Sequence, residues 1–285
     1  MSTTKNISYD GGSWADVFVG LAKGEEGLCG GPVKPGDEPI LVIIGPTGSG
    51  KTGLAIEVAL ELQSRGRFSG CEIISADSRA IYKGMDIGTA KPMPDEMQGV
   101  PHWGIDLVEP DERFTVVDFC NYARQKIAEI RERGHLPIIA GGTGLYVDAL
   151  VYDYQFNDVV KNNYSDREQM SSEYLVVGID WDRAELRKRL VQRSYKLFEQ
   201  NIEAETAILA KKYSWDLQAM KSDIYPIVWR MMQGEITRDE AIELNALDDW
   251  HLAKRQLTWF KRNPNICWVP LKDAEQRIIN FYDKI

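Results

Sequence analysis

Eight consecutive residues, Gly45-Pro46-Thr47-Gly48-Ser49-Gly50-Lys51-Thr52, satisfy the pattern GxxxxGK[ST] at every fixed position. Glycines at these positions let successive backbone N–H groups curl around an anion, and the N-terminus of a following helix adds partial positive charge. Lys51 is placed to reach the outer phosphate oxygens, and the Thr52 hydroxyl to face a Mg2+ ion. The spacing therefore points to a pyrophosphate or polyphosphate binder, with the metal assigned to Thr52. It does not say which phosphate compound binds, since most such loops serve transfer of a nucleotide γ-phosphate.

Other residue types able to do chemistry stand at the ends of apolar runs. Asp77 follows the strand Glu72-Ile73-Ile74-Ser75 after Ala76, and is expected at the carboxyl edge of a sheet, beside the strand of the phosphate loop, where open α/β sheets bind ligands. A carboxylate there can accept a proton, cap a helix or coordinate Mg2+. Leu136-Pro137-Ile138-Ile139-Ala140 runs into Gly141-Gly142-Thr143-Gly144, a turn whose glycines also suit a tight strand-to-helix connection. Arg189, Arg193 and Lys196 fall at i, i+4 and i+7 of one helix, which puts three cations on one face. That pattern also fits a solvated helix face.

The elements that must hold these residues can be read in outline. Ile40-Leu41-Val42-Ile43-Ile44 is a β-branched apolar run before the phosphate loop, as expected of a buried parallel strand. A helix follows over residues 51–63. Thr115 and Asp118 are spaced as a capping box opening a helix over 116–133, closed by Gly134. Tyr174-Leu175-Val176-Val177-Gly178-Ile179 is a further strand, and residues 183–261 are largely helical. Alternating strands and helices predict an α/β fold, a P-loop NTPase-like parallel sheet with helices on both faces and a helical C-terminal portion. The expected organisation is a flexible N-terminal arm over 1–38, an α/β core over 39–180 and a mainly helical portion over 181–285 that completes the core. Within the arm, residues 13–22 could form one short helix.

Composition adds bounds. The chain has 285 residues, 44% of them hydrophobic and 27% charged, enough for a full core. Cys29, Cys71, Cys120 and Cys267 are far apart and form no CxxC pair, so neither a disulfide framework nor a zinc site is suggested, and a reducing cytoplasm is expected. No apolar run approaches a membrane span and no secretory signal opens the sequence. The net charge of −9 disfavours non-specific attraction to nucleic acid. Residues 182–262, however, carry 15 Lys+Arg against 13 Asp+Glu, leaving 19 against 30 elsewhere. Only this stretch could rest against a polyanion.

Four further segments follow the phosphate loop in a set order: Ala76-Asp77-Ser78-Arg79-Ala80-Ile81-Tyr82, Met85-Asp86-Ile87-Gly88-Thr89-Ala90-Lys91-Pro92, Gly141-Gly142-Thr143-Gly144-Leu145-Tyr146, and Lys254-Arg255-Gln256-Leu257-Thr258-Trp259. Across residues 41–268 this set resembles the tRNA dimethylallyltransferases and the related adenylate dimethylallyltransferases. Pro101-His102-Trp103 is similar to that family's Pro-His-His segment. Any one segment is weak, but five in order behind a phosphate loop are specific. The resemblance implies transfer of a dimethylallyl group from dimethylallyl pyrophosphate to N6 of an adenine in tRNA next to the anticodon. It implies Asp77 as the general base, Thr143 with its hydroxyl toward the reacting centre, and Lys51 and Mg2+ on the leaving group. Arg193 would join the pyrophosphate. Ser78, Arg79, Ala80, Lys254 and Arg255 would meet adenine or tRNA. Trp259 and Phe260 are read as core and His102 as structural.

The chain departs from that pattern in two places. Only 24 residues, 151–174, occupy the interval where the tRNA enzymes carry an inserted helical domain that grips the anticodon stem. Ala80 stands where the family has a glutamine that contacts the target base. The expected partners are thus dimethylallyl pyrophosphate and a tRNA anticodon stem-loop, with a free adenine nucleotide as the alternative acceptor and no membrane. The chain is expected to act as a monomer. A small-molecule kinase is the competing class, against which the third strand ends in Gly-Gly and not in a Mg2+-binding carboxylate.

Overall fold

A computed structural model describes residues 13–23, 36–154, 170–221 and 224–285. Six strands form one wholly parallel sheet: β1 (Ile40–Ile44), β2 (Cys71–Ser75), β3 (His102–Trp103), β4 (Leu136–Gly141), β5 (Tyr174–Asp180) and β6 (Cys267–Pro270), in the order β3-β2-β4-β1-β5-β6. Every residue of β1 is buried. Leu41 and Ile43 join one core cluster and Ile40, Val42 and Ile44 the other, which is why this strand has no polar alternation. One face is covered by α1 (Trp14–Ala22), α2 (Lys51–Ser64) and α9 (Leu271–Lys284), the other by α3 (Val116–Glu132) and α4 (Gly144–Val151). A third cluster, formed by the C-terminal end of α5 (Arg183–Glu199) with α6 (Ile202–Lys212), α7 (Tyr225–Met232) and α8 (Arg238–Phe260), also takes in Met85.

α3 opens on the expected capping box, with Thr115 and Asp118 exchanging side-chain bonds, and Gly134 follows its end at φ 71°. Three expectations need correction. β2 does not lie beside β1, because β4 is inserted between them and pairs with both. Asp77 nevertheless stays at the carboxyl edge, since Gly141 lets the end of β4 close on Ala76. A Cβ at Gly141 would lie 2.2 Å from the Ala76 carbonyl oxygen. The described part of the expected N-terminal arm is not loose: Trp14, Val17 and Phe18 share a helix face that is buried against the core, with Trp14 edge-on to Phe281 at 5.9 Å. The rest of that arm and most of the 151–174 interval lie outside the described residues. Finally, β6 adds a strand to the sheet within the portion expected to be mainly helical, while α9 is helical as expected.

Gly141→Ala is expected to destabilise the protein by about 3 kcal/mol or more, because the blocking atom is backbone and has nowhere to move. A urea unfolding midpoint near the parent's would show that the strand ends can separate.

Candidate active site

The phosphate loop takes the shape its glycines permit. Gly48 and Gly50 have φ of 73° and 87°, conformations that L side chains rarely adopt. Gly50 caps α2, so the helix N-terminus points into the loop. A Cβ on Gly45 would sit 2.6 Å from the Ser49 hydroxyl, and Ser49 is fully buried with that hydroxyl unpartnered. Arg189 on α5 donates to the Gly48 carbonyl at 3.0 Å, and Trp181, between β5 and α5, donates to the Ser49 carbonyl at 2.9 Å.

Beside the loop lies a cavity of about 560 Å3 lined by Thr47, Lys51, Asp77, Ser78, Arg79, Thr143 and Arg193, among others. An adjoining cleft shares Thr47, Lys51, Asp77 and Arg193 and adds Thr52, Ala80, Arg189 and Lys196. Residues read from separate stretches of sequence thus meet at one place, the carboxyl edge of β1, β2 and β4. Lys51 as a residue is half-buried, and its amine lies 3.5 Å from the Pro46 carbonyl. Burial pushes its pKa below the ordinary lysine value, Asp77 pulls it back up, Arg193 lowers it and Asp249 raises it.

Asp77 is oriented by the Arg79 amide, which donates to Oδ1 at 2.8 Å. The Thr143 hydroxyl accepts from the Ser78 amide at 2.9 Å and donates to the Ser78 hydroxyl at 3.2 Å. It lines the cavity, and its bonds go to the turn that carries Asp77. Lys254 stands apart from the phosphate loop. With His251, Arg255, Thr258, Trp259 and Arg262 it lines an open groove along α8, which meets the main cavity at His251, Arg255 and Trp259.

Several site residues escaped the sequence reading. Asp249 binds Arg193 through a partly buried ion pair, and burial raises its carboxyl pKa against the opposing pull of Arg193. Trp259, read as core, lines the cavity and donates Nε1–H to Asp148 at 2.8 Å. Gln256 reaches the phosphate loop itself. His102, as expected, is structural: it begins β3 and its Nδ1 lies 2.8 Å from the Val100 carbonyl. Phe260 is core. For Asp249 no local signal existed, since its partner lies 56 residues away.

The loop after β2 is held from α6. Glu205 accepts the Asp86, Ile87 and Gly88 amides at 3.0, 2.8 and 3.0 Å and the Tyr225 hydroxyl at 2.7 Å. Buried Lys91 pairs with Asp86 and Asp106 at 2.7 and 2.6 Å. These contacts present Gly88 and Thr89 to the cavity. Glu205→Ala leaves four donors short of an acceptor, each costing about 1–3 kcal/mol where water cannot replace it. The expected result is a melting temperature several degrees lower that pyrophosphate only partly restores, measured by thermal unfolding with and without that ligand.

Fold and site define a phosphate-loop α/β protein with an anion cradle facing a carboxylate and opening onto a groove lined by Lys254, Arg255 and Arg262. Comparison with known proteins narrows this class. The family model described as IPP transferase matches residues 80–173 and 156–263. The tRNA dimethylallyltransferase of Geobacillus thermodenitrificans is 34% identical over 298 aligned positions, covering 84% of this chain and 92% of the relative. Two crystal structures are similar as well. The tRNA isopentenylpyrophosphate transferase of Staphylococcus epidermidis gives a TM-score of 0.73 at 31% identity over 87% of this chain and 100% of the other. That of Bacillus halodurans gives 0.72 at 30% identity, over 86% and 96%. The chain belongs to the IPP transferase family. Since 84% of 285 residues is about 240, fewer than the 298 aligned positions, the Geobacillus protein carries residues with no counterpart here. The two family-model matches overlap at residues 156–173, within the short interval between α4 and β5.

Proposed function

We propose that this protein transfers a dimethylallyl group from dimethylallyl pyrophosphate to N6 of an adenine in tRNA next to the anticodon. The observation that carries this reading is the single cavity in which Lys51, Arg193 and the phosphate loop face Asp77 and open toward the groove lined by Lys254, Arg255 and Arg262. The loop amides, Lys51 and Arg193 hold the pyrophosphate. As the allylic C–O bond breaks, its electron pair goes to the leaving pyrophosphate, and preorganised donors there lower the barrier. The N6 lone pair forms the new C–N bond, and Asp77 takes the N6 proton. This matters because delocalisation into the ring makes that amine a poor nucleophile. Ser78, Arg79 and Ala80 border the acceptor, and Thr143 steadies their turn.

The residues fit a Mg2+ ion. Thr52 and Asp77 line one cleft, and no group of three His, Cys, Asp or Glu side chains is placed to hold a metal among the described residues. Mg2+ carried on phosphate and water oxygens needs only one or two protein oxygens. When bound, it would neutralise charge on the leaving pyrophosphate.

The test is a split reaction with dimethylallyl pyrophosphate and Mg2+, read by mass spectrometry, offering unmodified tRNA in one tube and AMP plus ATP in the other. Product on tRNA alone is the expected result. Product on the free nucleotide would move the acceptor to the adenylate class, and ATP hydrolysis with no prenylated product would overturn the reading. No helix among the described residues is long and apolar enough to cross a membrane.

A further inference from the structure

Gln256 stands on α8 between Arg255, which faces the groove, and Trp259, one turn on. Its side-chain amide bridges two loops that belong to neither its own helix nor each other. Oε1 accepts the Thr47 N–H of the phosphate loop at 2.8 Å, and Nε2 donates to the Gly142 carbonyl at 3.0 Å. Only one orientation of the amide satisfies both partners, since an N–H must meet oxygen and a carbonyl must meet NH2. The fit is close on the Gly142 side, where a Cβ would lie 2.5 Å from Nε2. A Cβ on Gly144 would likewise strike the Trp259 ring at 2.3 Å. α8 is therefore fastened to the turn that carries Thr143 at two points, and Thr143 in turn holds the amide next to Asp77.

The two loops joined by Gln256 carry opposite ends of the proposed reaction. Thr47 belongs to the cradle of the leaving group, and Gly142 adjoins the residue that steadies the proton acceptor. Nothing else among the described residues gives these loops a shared side-chain amide. Without it, the Thr47 N–H and the Gly142 carbonyl would each lose a partner, and the loops could drift apart without either site losing a binding group. Effects of that kind fall on reaction geometry, where a misplacement of about 1 Å can cost about 100-fold in rate.

We propose that Gln256 is a positioning residue for alkyl transfer, locking the phosphate loop to the Gly142-Thr143 turn and so fixing the leaving group relative to Asp77. This rests on the function proposed above. Gln256→Leu removes both bonds at similar volume, Gln256→Asn keeps the amide but shortens its reach, and Gln256→Glu keeps the acceptor while setting a carboxylate against the Gly142 carbonyl. Three quantities are read on the full chain. These are the single-turnover rate with saturating dimethylallyl pyrophosphate and an anticodon stem-loop RNA, the Kd for inorganic pyrophosphate with Mg2+, and hydrogen exchange of a peptide spanning residues 45–50.

The expected result for Gln256→Leu is a rate lower by about 100-fold, a pyrophosphate Kd close to the parent's and faster exchange in the loop peptide. Asn should rescue neither the rate nor the exchange. A parental rate, or a rate and a pyrophosphate affinity that fall by the same factor, would overturn the proposal. If the parent itself transfers to no acceptor, the proposed function fails. The lock is then judged by exchange alone, and unchanged exchange in Gln256→Leu refutes it.

Discussion

Replacing Asp77 by Asn should lower the single-turnover rate of prenyl transfer by about 10²–10⁴-fold, the usual contribution of a positioned general base. Pyrophosphate affinity should hold or improve. The amide keeps the size of the side chain and can still accept the Arg79 N–H, so the turn that Thr143 steadies should survive. What disappears is a negative charge near Lys51, where Asp77 now raises the lysine pKa. Removing it takes away repulsion of the incoming anion, which is why binding should not suffer. The competing assignment, a Mg2+-coordinating aspartate, gives the opposite pattern: pyrophosphate binding would weaken and more Mg2+ would be needed for half-saturation. Pre-steady-state transfer and a Mg2+ titration of pyrophosphate binding, run on both proteins, separate the two. A loss of binding equal to the loss of rate would remove Asp77 from the proton-transfer role.

The site was partly legible in sequence because its anion half is local. Gly45 to Thr52 form one strand-loop-helix unit, and the positive-φ glycines, the apolar β1 run and the start of α2 are all encoded within residues 40–64. The capping box of α3 is legible for the same reason. The strand order was not, since the insertion of β4 between β1 and β2 depends on pairing at long range, to which apolar periodicity is blind. β6 escaped because Cys267–Pro270 is too short to show a pattern. The packing of α1 depends on Phe281, near the other end of the chain. Asp249 and Glu205 acquire their meaning only from partners on other helices and loops. The direction of the Thr143 hydroxyl is a rotamer choice set by Ser78, which family likeness alone does not specify.

Lys51→Met should weaken pyrophosphate binding and reduce transfer by about 10²–10³-fold, as for loss of one preorganised donor at a developing negative charge. The Lys51 amine makes no ion pair at hydrogen-bond distance among the described residues; it lies 3.5 Å from the Pro46 carbonyl. Arg193, the neighbouring cation, is already paired with Asp249. Lys51 is thus the less neutralised of the two charges, and its lowered pKa reflects burial that Asp77 and Asp249 offset only in part, with no carboxylate paired to the amine as a direct counter-ion. A bound pyrophosphate would supply that counter-ion and draw the pKa back up. On the alkaline side, where the amine of the free protein has begun to lose its proton, binding should therefore take up a proton, and affinity should fall as pH rises further. Lys51→Met should bind more weakly at neutral pH and lose this part of the proton uptake. Calorimetric titration with inorganic pyrophosphate in buffers of different ionisation enthalpy measures both quantities. Lys51→Arg should not restore the parent's behaviour, because a planar guanidinium cannot occupy the position of a compact ammonium at the floor of the loop. An unchanged Kd with slower transfer would confine the amine to the transition state, and unchanged values of both would place the leaving group elsewhere in the cavity.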